Sequence, residues 1–130
     1  MKTKEQLLEK ARRMQSYLEE KPGTEPNEII EKIENLSILI SQSGDLLSEA
    51  KYIQDSVISS EIMKALKEGY HDKLTATGLN KLINSLAKEE NYLVNLFDRI
   101  NAAATHQLDG CRSILSYRKT EFSALNYSSK

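Results

Sequence analysis

The chain has 130 residues, 39% of them hydrophobic and 28% charged, with five Gly, two Pro and no Trp. That is the length of one domain and the composition of a helical protein, and it argues against a β sandwich. A net charge of −1 and a pI near 6.1 speak against a wholly basic nucleic-acid-binding surface. No stretch reaches the roughly 18 to 20 uncharged apolar residues of a membrane span, and Met1-Lys2-Thr3-Lys4 leads directly into a charged amphipathic segment rather than the apolar core of a leader, so the reading is cytoplasmic with no membrane partner.

The first predicted helix covers about 4–20, where Leu7, Leu8, Ala11, Met14, Tyr17 and Leu18 recur at helical spacing. Lys21-Pro22-Gly23 should end it, with Gly23 as a left-handed cap. Thr24 is the expected N-cap of a second helix over about 25–67, with Pro26 in its first turn and Glu25 and Glu28 at its positive end.

Along this second helix Ile29, Ile33, Leu36, Ile40, Ser43, Leu47, Ala50, Gln54 and Val57 step by fours and threes, the seam of a coiled coil. Leu39, Leu46 and Ile53 flank that seam and widen it enough to meet a third helix. Gly44 marks a candidate kink, because an interior glycine costs up to about 1 kcal/mol relative to alanine. Gly69 should stop the helix, with 70–73 as loop, and Thr75 or Thr77 should cap a third helix over about 77–123. In that helix Leu79, Leu82, Ile83, Leu86, Glu90, Leu93, Phe97, Ile100, Ala104, Gln107, Cys111, Ile114, Arg118 and Phe122 sustain the same spacing over roughly 65 Å. Residues 124–130 should fray.

Two long matched helices joined by a short connection predict an all-α fold: a long antiparallel hairpin, coiled-coil-like, with a shorter N-terminal helix. A turn near Lys73 makes facing positions sum to about 146. This register sets Gly44 opposite Ala102 as a close waist, Glu34 near Arg112 and Glu28 near Arg118. The predicted interface residues are Ile33, Leu36, Ile40, Leu47, Leu93, Phe97, Ile100, Ala104 and Cys111. Cys111, the sole cysteine, cannot form an internal disulfide and reads as a small buried hydrophobe. Because a hairpin hides only one stripe of each helix, leftover apolar surface predicts a homo-oligomer or another protein partner.

Chemistry is sparse. Di-iron helical bundles use Glu-x-x-His on facing helices, and none occurs here; His106 with Asp109 and His71 with Asp72 fall short of a ligand set. There is no Gly-rich phosphate loop and no Gly-x-Ser-x-Gly. The expectation is therefore no metal, no cofactor and no catalysis. Charge is segregated, however. Residues 1–21 carry Lys2, Lys4, Lys10, Arg12, Arg13 and Lys21, and the C-terminal third carries Arg99, Arg112, Arg118, Lys119 and Lys130. The antiparallel arrangement should gather both sets at one end, with Tyr17, Tyr117 and Tyr127 able to stack on unpaired bases. The alternative is that these tyrosines fill the helix interface and the cations answer the acidic face of the second helix.

The segment Leu46-Leu47-Ser48-Glu49-Ala50-Lys51-Tyr52, followed by Tyr92-Leu93-Val94-Asn95 and the run Arg112-Ser113-Ile114-Leu115-Ser116-Tyr117-Arg118-Lys119-Thr120-Glu121, resembles small helical proteins of phages and mobile elements. In helix order and in its cationic last helix, the chain over about 40–122 is similar to the UvsY-type recombination mediators, oligomeric proteins that bind single-stranded DNA and help load a recombinase. The resemblance implies a binding role for Arg112, Arg118 and Lys119 in a self-assembled complex. The functional expectation is a non-enzymatic, self-associating helical protein that binds single-stranded DNA, with Arg12, Arg13, Arg112, Arg118 and Lys119 on phosphates and Tyr117 stacking. The alternative is a scaffold or adaptor whose partners are proteins alone.

Overall fold

The computed structural model describes residues 1–69 and 72–128, apart from the side chains of 126–128. Four helices follow in order: α1 (Lys4–Glu19), α2 (Pro26–Glu68), α3 (Ala76–Leu86) and α4 (Lys88–Ser128). There is no strand among the described residues, and α2 packs along α4 as the long hairpin.

Local chemistry sets the helix starts and stops. Thr3 and Gln6 form a reciprocal capping box at the start of α1, satisfying two amides that lack helical partners. Helix α2 opens with Pro26 directly after Glu25, which takes the N-cap position without a side-chain bond. The cap thus lies one residue beyond the expected Thr24, because proline supplies the first helical φ and needs no amide partner. Gly69, at φ 77°, ends α2 in the left-handed conformation, where a side chain would be strained. Gly23 does not have positive φ; a Cβ there would overlap the Glu28 side chain. The Thr75 hydroxyl accepts from the Gly78 amide and caps α3.

Two expectations about continuity are corrected. Helix α2, for its part, is continuous through Gly44, so the chain does not break at that glycine. The predicted third helix is interrupted at Ala87 (φ −97°, ψ 23°). The interruption is a one-residue distortion, since Ala87 N–H still donates to Ile83 O at 3.0 Å and Asn91 N–H to Ala87 O at 2.9 Å. At the other end α4 continues to Ser128 rather than fraying from 124. Residues 70 and 71, part of the expected loop, lie outside the described residues.

Direct side-chain bonds fix the register. Gln54 donates to Asn91 at 2.7 Å, and Asn101 donates to Ser43 Oγ and Ile40 O, each at 2.9 Å. The first two pairs sum to 145 and 144, within two residues of the expected value. The waist, however, forms at Ser43, fully buried, against Asn101. Gly44 has open space where a Cβ would point and Ala102 is exposed, so this pair is turned away from the seam. At the waist the Asn101 amide donates to the Ser43 hydroxyl, which itself donates to Ile40 O; a polar contact between facing seam positions is a device that pins register in helix pairs.

Helix α1 lies parallel to α4 and antiparallel to α2. Its start is tied by Lys4 to Glu89 and Glu90 and by Lys2 to Glu49; near its end Gln107 donates to Leu18 O at 2.8 Å and Lys32 to Tyr17 O at 3.3 Å. It completes a three-helix core of Leu7, Ala11, Met14, Ile29, Leu36, Leu39, Leu46, Ala50, Leu93, Leu96, Phe97, Ile100, Ala104, Leu108 and Cys111. Of the residues expected at the interface, Leu36, Leu93, Phe97, Ile100, Ala104 and Cys111 are buried, while Ile33, Ile40 and Leu47 are half-buried. Leu39 and Leu46 are more deeply enclosed than those three because α1 covers their side of α2, as the contact of Lys32 with Tyr17 shows.

Candidate interaction surface

The core ends at Cys111, and α4 does not. The register places Pro26, the first residue of α2, opposite about residue 118 or 119, so α4 overhangs α2 by about ten residues, or about 15 Å at 1.5 Å per residue. Beside this overhang is an open groove of about 750 Å³ bounded by Pro26, Ile30, Leu115, Arg118, Phe122 and Leu125. Its apolar side chains are poorly covered: Phe122 is 65% exposed, Leu125 69%, and the neighbouring Tyr117 65% and Ile114 46%. Single exposed apolar residues are ordinary, but a contiguous set on one end of a helix pair marks an interaction site.

The cations are disposed differently from the sequence expectation. Bonds from Lys4 to Glu89 and from Gln107 to Leu18 set Arg12 and Arg13 beside α4 near residue 99 or 100, about 28 Å along the helix from Arg118. The two basic groups are therefore not gathered at one end, because α1 runs along α4 from Glu89 to about Gln107 and stops short of the overhang. Arg13 pairs with Glu9 one turn back at 3.1 Å. Tyr17 is half-buried, with the Lys32 ammonium 3.7 Å above its ring, and so belongs to the bundle rather than to a stacking surface.

On α4 the anticipated cross-helix pairs are replaced by local ones. Arg112 approaches Asp109 at 3.9 Å and Arg118 approaches Glu121 at 3.7 Å, both exposed i,i+3 contacts of small energetic value. The acidic face of α2 thus leaves these two arginines, and Lys119 with them, facing solvent. Helical geometry separates them further: Arg112 and Lys119, seven apart, lie within about 20° of each other around α4, whereas Tyr117 lies about 140° to 160° away and Arg118 about 100° to 120° away. The side chain of Tyr127 and all of Lys130 lie outside the described residues.

Ion pairing is strongest where it fastens α1. The Glu89 carboxylate at 2.7 Å and Glu90 at 3.0 Å hold the Lys4 ammonium well above its ordinary pKa, and Lys4 in turn holds Glu89 below the ordinary carboxylate range. Glu90 is 5% exposed, so Lys4 supplies the counter-charge that a nearly buried carboxylate requires. This contact is structural in character. The groove beside it, of about 620 Å³, is lined by Lys4, Glu5, Leu8, Lys88, Glu89, Tyr92 and Leu93.

No group of three or more His, Cys, Asp or Glu side chains could hold a metal ion among the described residues. His106 is exposed on α4, and His71 lies outside the described residues. No described helix is long and apolar enough to cross a membrane. Sequence reasoning missed Leu125 and Ile30 as surface residues of interest; Leu125 falls in the stretch expected to fray, and Ile30 is off the heptad seam. Comparison with protein-family models, with curated proteins and with solved structures finds no match for this chain.

Proposed function

We propose that this chain is a non-enzymatic helical interaction protein that works by self-association through the open end of its hairpin. The observation that carries the reading is the exposed apolar set Ile30, Ile114, Tyr117, Phe122 and Leu125, gathered at the open end of the hairpin, where Phe122 and Leu125 lie beyond the first residue of α2 and no described helix covers them. Exposing such a set costs solubility unless another surface covers it. Light scattering on a size-exclusion column tests the reading: at tens of micromolar the chain is expected to elute as a dimer or larger species, and Phe122→Ala with Leu125→Ala should shift it toward monomer. A clean monomer for the unmodified chain would overturn it, leaving a single-copy adaptor for another protein.

Single-stranded DNA is a second partner, favoured by one observation: Arg112 and Lys119 share a solvent-facing side of α4 that α2 does not answer. Repetition in an assembly would multiply this modest charge into a usable surface. Arg12 and Arg13, about 19 Å along the bundle from Arg112 and about 29 Å from Lys119, contribute at most a separate contact. Anisotropy of a labelled single-stranded oligonucleotide should show micromolar binding that weakens steeply between low and near-physiological salt. Arg112→Glu with Lys119→Glu should abolish it, and no binding even at low salt would remove DNA from the reading and leave the protein-only scaffold.

A further inference from the structure

The part of α4 that runs from the last level of α2 into the overhang is a chemical palindrome. Reading from Ile114 to Leu125, Ile114 and Leu125 occupy the two ends, Arg118 and Glu121 the centre, and all four step by four, three and four residues. That spacing lines them along one stripe of the helix, with Tyr117 and Phe122 on opposite edges of it. Arg118 and Glu121 are each 45% exposed, and Ile114 and Leu125 are 46% and 69% exposed, so the stripe faces outward rather than into the bundle.

We infer that this stripe is a two-fold interface at which a second copy of the same chain packs its α4 antiparallel to the first. The inference rests on the self-association reading and specifies its geometry. A two-fold contact must be self-complementary, because every residue that touches its partner is touched by the same residue in return. In an antiparallel pair centred between Lys119 and Thr120, Ile114 meets Leu125 of the second copy and Arg118 meets Glu121 of the second copy, each twice by symmetry. The two edges then pack like with like, Tyr117 beside Tyr117 and Phe122 beside Phe122, as edge positions do in antiparallel coiled coils. A parallel pair would instead set Arg118 against Arg118 and Glu121 against Glu121, which like-charge repulsion disfavours.

Chain length supports the same occupant. Each α4 outruns its own α2 by about ten residues, and in the antiparallel pair those residues reach the level of Ile30 and Ile114 of the other copy. Leu125 and Phe122 of one copy thus lie along the groove beside Pro26 and Ile30 of the other. The two bundles extend in opposite directions, so neither body obstructs the contact. The five exposed apolar side chains amount to roughly 500 Å² per copy. Two copies therefore bring roughly 1,000 Å² of apolar surface together, which with the charged centre reaches the lower range of a specific interface, about 1,200 Å². Arg112 and Lys119 lie on the far side of α4 from the stripe and stay open in the pair, whereas Arg118 becomes an interface residue rather than a phosphate contact.

Charge exchange at the centre tests the interface with the full chain. Arg118→Glu sets a glutamate against Glu121 of the second copy at both symmetric contacts, and Glu121→Arg sets an arginine against Arg118; each alone should raise the dimer dissociation constant by roughly ten- to hundredfold. Mixing the two single variants should restore assembly as a heterodimer, because every contact between positions 118 and 121 across the interface then joins a glutamate to an arginine, although each chain has lost its own 118–121 attraction. Sedimentation equilibrium on each variant and on the equimolar mixture reads all three states, with helical circular dichroism confirming that each chain folds. If the unmodified chain associates while both single variants associate equally well, or if the mixture stays monomeric, the interface is overturned and the assembly reading stands. If the unmodified chain is itself monomeric, both fail.

Discussion

Phe97→Ala is expected to destabilise the domain by about 3–5 kcal/mol, the usual cost of removing a fully enclosed aromatic ring and leaving a cavity. Phe97 has no exposed surface and lies one turn from Leu93 and Ile100 on the face of α4 that the three-helix core shares. Domains of this size are stable by about 5–15 kcal/mol, so the loss is a large fraction of the total. In a thermal melt followed by circular dichroism the midpoint should fall by roughly 10–20 °C. Phe122, the other phenylalanine of the chain, provides the contrast. At 65% exposed, its replacement by alanine should move stability by no more than about 0.5 kcal/mol while weakening self-association. A loss below about 1 kcal/mol for Phe97→Ala would mean that the core does not close around this layer.

The contrast between these two phenylalanines also shows what periodicity can and cannot reveal. Both fall on the same heptad seam, and the pattern gives no reason to separate them. The difference arises from where the other helices stop: α1 ends at Glu19, near Gln107 of α4, and α2 begins at Pro26, so the seam of α4 is covered at Phe97 and bare at Phe122. Helix boundaries governed by local chemistry were readable, as Gly69 and Thr75 show, because a left-handed glycine or a hydroxyl cap acts within a few residues. The interruption at Ala87 was not readable, since no glycine or proline marks it and the apolar spacing from Leu86 through Glu90 to Leu93 continues across it. Its neighbours include Asn91, which bonds both Asn84 O at 3.3 Å and Gln54 at 2.7 Å, polar contacts with no sequence signature.

The basic residues illustrate a second limit. Composition showed where the cations lie along the chain, and the antiparallel hairpin suggested that both sets meet. The deciding quantity was the position of α1 along the bundle, which depends on Lys2 finding Glu49 and Lys4 finding Glu89 and Glu90. These contacts hold the start of α1 beside Glu49, midway along α2, a placement the heptads do not encode. A single α4 therefore presents Arg112 and Lys119 without help from Arg12 or Arg13, and any strong binding of nucleic acid must draw on several copies.

Ser43→Leu is expected to destabilise the fold even though it makes the α2 seam more apolar and more regular as a coiled coil. Ser43 is fully buried, and its hydroxyl donates to Ile40 O at 3.0 Å while accepting from Asn101 Nδ2 at 2.9 Å. A leucine adds volume where two helices approach closely, at about 1–3 kcal/mol for overpacking, and deprives the half-buried Asn101 amide of one acceptor, at about 1–3 kcal/mol more. Asn101 keeps its 2.9 Å bond to Ile40 O only if the backbone does not move to admit the leucine. The combined loss should be about 2–5 kcal/mol by urea titration, against about 1 kcal/mol for Ser43→Ala, which removes the acceptor without adding bulk. Pairing Ser43→Leu with Asn101→Ala should recover part of the loss, because the smaller partner makes room and the orphaned amide is gone. A stabilising effect of Ser43→Leu alone would show that Ser43 sits at a roomy position and that register is set elsewhere, by Gln54 with Asn91 and by the anchoring of α1.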